Sequence, residues 1–146
     1  MRGMHLMKHW CTTQATVALS SAEAELISLV KGAAEGIGLT NLLGDLGSAS
    51  KVTLSTDATA AIGVCRRSGV GRIRHLGVRL LWIQDKVRHG EVFLQKVPGA
   101  DNPADLFTKF LGADVASAAL ARLQCWPMTG RAHSAPELDM FGSERP

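Results

Sequence analysis

The sequence contains no tyrosine, and its few phenylalanines and tryptophans bring the aromatic share to only 5%. A core built from it must rest on Leu, Val, Ile and Ala rather than on rings. Cysteine is scarce and unpatterned: Cys11, Cys65 and Cys125 are odd in number, widely spaced and never in a CxxC pair. Neither a disulfide framework nor a zinc site fits that usage, which suits a reducing compartment and reads all three as small buried hydrophobes. The first ten residues hold Arg2, Lys8 and two histidines but no continuous apolar stretch, so they are not a signal peptide. No apolar run approaches the ~20 residues of a membrane span. An intracellular protein, cytoplasmic or nuclear and without a membrane partner, is expected.

Acid is missing from one long stretch. Between Asp57 and Asp85 there is none, while Arg66, Arg67, Arg72, Arg74, His75 and Arg79 all fall there. Such a run is either a solvated face or a set of phosphate contacts, and both readings stand. The whole chain, at 146 residues, 46% hydrophobic and 20% charged, is long enough for a core but holds one domain or less. Its net charge of +3 and pI near 9.0 are mildly basic.

Met4 to Trp10 alternates weakly and could be a strand. A polar connector, Cys11 to Thr16, follows. Ser20-Ser21-Ala22-Glu23 reads as a capping box, with Ser20 as N-cap and Leu26, Leu29, Val30, Ala33, Ala34 and Ile37 at helical spacing behind it. Gly36 and Gly38 weaken the far end, so Leu39 to Leu46 is a second helix or a bent continuation. Lys51 to Thr56 reads as a strand with Val52 and Leu54 on one face, Ala58 to Arg67 as a helix, and Ile73 to His89 as another that Gly90 stops. Glu91 to Val97 alternates as a strand. Asn102-Pro103 opens a helix, Ala113 to Cys125 forms the last one, and the tail from Pro127 reads as disordered. Domain limits follow at 1–112, 113–126 and 127–146. Strands separated by helices pair in parallel, giving an α/β fold whose ligands sit beyond the carboxyl ends of the strands, where Asp57 falls.

Three acids, Glu25, Asp57 and Asp105, stand at element junctions beside small or hydroxyl neighbours. Divalent-metal phosphodiester chemistry needs such a set, because Mg²⁺ takes oxygen ligands at ~2.1 Å and a metal pair ~4 Å apart can hold the attacking and leaving oxygens. Each has a plainer reading: a solvated helix carboxylate for Glu25, an N-cap for Asp57, a macrodipole partner for Asp105. Glu23 lies ~200° around the helix from Glu25 and belongs to the capping box. Asp45, Asp85, Asp101 and Asp114 read as structural. Trp10 and Trp82 read as core anchors and Trp126 as either core or stacking platform, while Gly69 and Gly71 are too few for a phosphate loop.

The segments Thr16 to Glu25, Asp57 with Ala60-Ala61-Ile62, Arg72-Ile73-Arg74-His75, and Ala104-Asp105 with Thr108-Lys109 are collinear with motifs of a known family. From about Lys8 to Leu111 the chain resembles the ribonuclease H domain that closes the Pol polyprotein of copia-type LTR retrotransposons. The resemblance implies a ribonuclease H-like mixed sheet with flanking helices. It also implies Mg²⁺ (or Mn²⁺) on Glu25, Asp57 and Asp105, an RNA–DNA hybrid as partner, and a reverse transcriptase domain upstream in the same polyprotein. The basic residues Arg66, Arg67, Arg72, Arg74, His75 and Arg79 would grip the hybrid. The family's first two strands and first catalytic aspartate have no counterpart here, so the domain is expected to be incomplete, its two-metal site unfinished and the chain inactive alone. A non-catalytic nucleic-acid-binding remnant and a decayed transposon fragment are the alternatives. Glu25, Asp57 and Asp105 should lie within about 8 Å of one another if they share metals, and Lys51 to Thr56 should pair in parallel with Glu91 to Val97.

Overall fold

The computed structural model describes residues 1, 6–69, 71 and 77–125, with the backbone alone at 78, 79 and 107. The chain divides into two compact units, Trp10–Phe110 and a second made of Met1–His9 with the chain from Leu111 onward.

In the first unit, α1 spans Ser21–Asp45. Its start is the expected capping box with a shifted return bond: Ser20 Oγ accepts from Glu23 N at 3.2 Å, and Glu23 Oε2 accepts from Leu19 N at 2.8 Å rather than from Ser20 N. A hydroxyl cap of this kind stabilises a helix by ~1 kcal/mol. The polar connector ahead of it lies along the helix, Gln14 Nε2 donating to Ala24 O at 2.8 Å and to Ser28 Oγ at 3.2 Å. Leu39 to Leu46 is no second helix. α1 runs through Gly36 and Gly38 and stops at Gly47, whose φ of +77° closes a Schellman turn with Ser48 N on Leu43 O and Gly47 N on Gly44 O.

Gly36 is uninterrupted helix for a tertiary reason. A Cβ there would lie 2.8 Å from Val52 Cγ1, and one at Gly32 would lie 3.5 Å from Leu54 Cδ2. The absent side chains let α1 press its backbone onto the strand that follows. By length and composition α1 could cross a membrane, but Leu26, Leu29 and Ala33 pack into the core and Lys31 and Glu35 stand in mid-helix. We read it as a core helix.

β1 (Val52–Thr56) and β2 (Val92–Lys96) form a two-stranded parallel sheet in register Val52↔Val92 to Thr56↔Lys96, extended by Val97 N on Thr56 O at 3.0 Å. The expected parallel pairing is therefore present. Among the described residues β1 has no partner on its other edge, and residues 6–10 form no strand; the rest of the Met4–Trp10 segment lies outside the described residues. Val52 and Val92 face the helices, whereas Thr53, Ser55, Phe93 and Gln95 are exposed on the opposite face, with Lys51 Nζ 5.6 Å from the Phe93 ring centre.

The crossover runs through α2 (Thr59–Arg66) and α3 (Trp82–Arg88). The helix expected from Ile73 starts later: within the described part, Val78–Leu81 is a 3₁₀ turn and α-helix begins at Trp82. Gly90, with φ +72°, ends α3 in a second Schellman turn, Glu91 N bonding Lys86 O and Gly90 N bonding Val87 O. Leu26, Leu29, Ala33, Val52, Val64 and Ile83 are among the residues of one core, with Trp82 packed against it. Trp10, expected in the core, is 40% exposed. Of the cysteines only Cys65 is buried; Cys11 is exposed and Cys125 half-buried. With few rings to fill space, the core is completed by small residues at helix contacts instead.

The second unit contains α4 (Ala113–Arg122), with Ala119 and Leu123 buried. Its end repeats the Schellman pattern, Cys125 N bonding Leu120 O and Gln124 N bonding Ala121 O, but the left-handed position is Gln124 at φ +53°. The tail expected to be disordered lies outside the described residues.

Candidate functional site

Register between α1 and the sheet fixes where Glu25 lies. Gly36 faces Val52 and Gly32 faces Leu54, so the helix runs antiparallel to β1. One helical turn advances ~5.4 Å and two strand residues ~6.6 Å, so a turn earlier Ser28 comes opposite Thr56. Glu25, nearly one turn before that, reaches the level of Asp57 beyond the strand end.

Asp57 follows the last residue of β1 and is half-buried. It is not the N-cap of α2: that position is Ala58, without a side-chain bond, and the local turn is closed by Ala58 N donating to Thr56 Oγ1 at 3.1 Å. Because the strands are parallel, the chain leaving β2 emerges at the same end. Gly99 in the 3₁₀ turn Gly99–Asp101 comes so close that a Cβ there would lie 3.3 Å from Asp57 Oδ2.

Asn102 then caps the next turn as expected, its Oδ1 accepting from Ala104 N at 3.2 Å with Pro103 in first position. The helix Pro103–Phe107 is 3₁₀ rather than α, and it is short because Thr108 N and Lys109 N both fold back on Asp105 O. That turn sets Lys109 over Asp105, with Nζ donating to Asp105 Oδ2 at 2.8 Å. The Asp105 side chain is 20% exposed and that of Lys109 58%. The hydrogen bond to Asp105 and its charge hold the ammonium above the usual lysine range against desolvation, with lesser contributions from the charges of Asp57 and then Glu25. Asp105 thus pairs directly with Lys109, while half-buried Asp57 and Glu25, which is exposed on α1, add only weaker charge effects there.

Glu23 is buried and turned to its own helix start, away from this group. Lys109 itself carries the cluster's positive charge, a role not expected for it from the sequence, although its i,i+4 spacing from Asp105 was the available signal. The three acids offer the hard oxygens that Mg²⁺ or Mn²⁺ takes. As arranged they do not fit one, since no group of three His, Cys, Asp or Glu among the described residues is spaced to hold a metal ion.

The basic face is described in part. Arg66 is exposed and its Nη2 reaches Leu94 O at 3.4 Å; Arg67 is half-buried with its guanidinium against Gly71. Arg72, Arg74 and His75 lie outside the described residues, as does the side chain of Arg79. The turn that leads into this face is clamped by buried Gln84, which donates to Val64 O at 2.8 Å and Gly69 O at 2.9 Å and accepts from Gly69 N at 2.9 Å. Arg88, from α3, joins it by donating to Ser68 Oγ at 3.1 Å.

Comparison with known proteins agrees with the sequence motifs at the level of the polyprotein. Over 98 residues the chain is 35% identical to the retrovirus-related Pol polyprotein from transposon TNT 1-94 of Nicotiana tabacum. The matched stretch is 66% of this chain and 7% of that protein, so the chain spans less than a tenth of the relative's length. It is similar to one segment of a retrotransposon Pol polyprotein. No protein-family model matches the chain, and no solved structure does.

Proposed function

We propose that this chain is a ribonuclease H-type segment of a retrotransposon Pol polyprotein that takes an RNA–DNA hybrid as its partner. The observation that carries the reading is Asp57 at the carboxyl end of β1, with Gly99 of the chain leaving β2 packed against its carboxylate. The similarity to a Pol polyprotein supports the same reading. Arg66, Arg67, Arg72, Arg74, His75 and Arg79 would lie along the hybrid's phosphates. Reverse transcription would supply such a hybrid, which makes a reverse transcriptase domain of the same polyprotein the fitting neighbour and the cell interior the place of action. The resemblance to the ribonuclease H family implies Mg²⁺ or Mn²⁺ as the ion that Glu25, Asp57 and Asp105 would hold. Here Asp105 is paired with the Lys109 ammonium and no group of three donors among the described residues is spaced for a metal ion, so we assign the chain binding and derive no hydrolytic step.

The test is fluorescence anisotropy of a labelled RNA–DNA hybrid against rising salt. Each phosphate contact contributes roughly one unit or less to the slope of log affinity against log salt. Binding at low salt with a steep slope, reduced in an Arg66→Ala/Arg67→Ala variant, is expected. No binding at low salt, or a salt-independent affinity, would refute the reading.

A further inference from the structure

We propose that the outer edge of β1 pairs antiparallel with β1 of a second copy of this chain, about a two-fold axis at Leu54, so that the two sheets become one. This goes beyond the proposed function and does not rest on it.

The two edges of the small sheet are unequal. Val97 N bonds Thr56 O, so Val52, Leu54 and Thr56 direct their peptide groups at β2. Peptide groups alternate along a strand, and Thr53 and Ser55 therefore direct theirs outward. Among the described residues no strand pairs with them. On β2 the outward set includes Leu94, and there the Arg66 guanidinium donates to Leu94 O at 3.4 Å. One edge is thus blunted by a charged side chain, while the other is an unprotected template for a strand. β1 suits that use, with β-branched Val52, Thr53 and Thr56, no Gly or Pro, and no charge between Lys51 and Asp57.

Charge complementarity selects β1 itself as the added strand. An axis at Leu54 overlaps the two copies over the full strand and keeps outward peptide groups opposite one another. Thr53 comes opposite Ser55 of the second copy, and such a pair exchanges both its N–H···O bonds. Exposed Lys51 comes opposite the second copy's half-buried Asp57, once at each end. Moving the axis to Thr53 or to Ser55 separates these charges. On the helix side, half-buried Leu54 meets its own copy at the axis, at the closer spacing of ~4.5 Å between Cα atoms that a non-hydrogen-bonded pair has. Exposed ion pairs contribute little, so the backbone bonds and Leu54 hold the copies together and the charges choose the register.

The experiment is sedimentation equilibrium of the full chain, in reductant so that exposed Cys11 forms no cross-link, and without nucleic acid. Wild type is expected to pass reversibly from monomer to dimer with concentration. Thr53→Pro removes an outward N–H that the β1–β2 ladder does not use, so it should be monomeric with the circular dichroism and urea midpoint of wild type. Thr53→Lys/Ser55→Lys changes only exposed side chains and sets like charges opposite each other, so it should be monomeric too; it decides the matter if the proline variant does not fold. Lys51→Glu should weaken the dimer several-fold at low salt, and adding Asp57→Lys should restore it. A wild-type chain still monomeric at millimolar concentration would overturn the proposal and leave the edge to some other strand. So would a dimer that survives in the folded Thr53→Lys/Ser55→Lys variant, or one that Lys51→Glu leaves as tight as wild type.

Discussion

Two glycines of α1, two positions apart, illustrate how differently the same residue can be used. At Gly36 an added methyl would sit 2.8 Å from Val52 Cγ1, and Val52 is buried between α1 and the sheet. Overpacking of that kind costs ~1–3 kcal/mol, more than the ~1 kcal/mol that alanine gains over glycine in a helix. Gly36→Ala should therefore lower stability in urea unfolding. Gly38 is exposed and a methyl there meets nothing within 4 Å, so Gly38→Ala should raise stability by roughly 0.5–1 kcal/mol. Opposite signs from the two substitutions are the expected result. Cys65 offers a second residue-level check, because burial pushes its thiol up from 9.0 to about 11. The native state favours the neutral thiol, so the unfolded chain ionises first. Its stabilising contribution is complete below pH 9 and is lost as pH rises toward about 11. The urea midpoint should fall across that window and fall less in Cys65→Ala, measured against that variant's own value at pH 8. Thiol labelling of the native protein at pH 8 should modify exposed Cys11 first and reach Cys65 only on unfolding.

Helix ends separate what is written in local sequence from what is not. Three helices close with Schellman turns, at Gly47, Gly90 and Gln124. Glycine announces such a turn in advance because it alone adopts left-handed backbone without penalty, and Gly90 was legible for that reason. Gln124 carries no such signal, and its strain is a stability reserve. Gln124→Gly should raise the stability of the α4 unit by about 1 kcal/mol, read as slower hydrogen exchange of the Ala119–Leu123 amides. The same contrast runs through the other elements. The capping box at Ser20, the parallel pairing of β1 with β2 and the Asn102 cap were legible because each depends on a few neighbouring residues or on element order. The unbroken course of α1 was not, because Gly36 is explained by Val52, a residue on another element. Nor was the late start of α3, since Leu80 keeps the apolar spacing through a 3₁₀ turn that buries the same face. At the candidate site, Asp57 could be placed from the strand-to-helix junction alone. Lys109 went unread although its i,i+4 spacing from Asp105 was the signal, because that spacing matters only once the 3₁₀ turn sets the two side chains together.

On the scale of the whole chain, the charges divide the labour expected of it. In the proposed reading the arginines of the Arg66–Arg79 stretch contact a phosphate backbone, whereas Asp105 is paired with Lys109. Phosphate contacts are electrostatic and need no metal. Phosphodiester hydrolysis of this kind needs an ion pair ~4 Å apart holding the attacking and leaving oxygens. Among the described residues no group of three donors is spaced for even one ion. Each ~1.4 kcal/mol of lost transition-state stabilisation is tenfold in rate. We expect the purified chain to leave an RNA–DNA hybrid uncut in Mg²⁺ or Mn²⁺, at background levels indistinguishable from Asp57→Asn, under the salt conditions in which anisotropy shows the hybrid bound. A denaturing gel of end-labelled RNA over a long incubation reads the result. Robust cleavage that Asp57→Asn abolishes would mean that the acids assemble around metal once the hybrid is bound, and the assignment of binding alone would then be wrong.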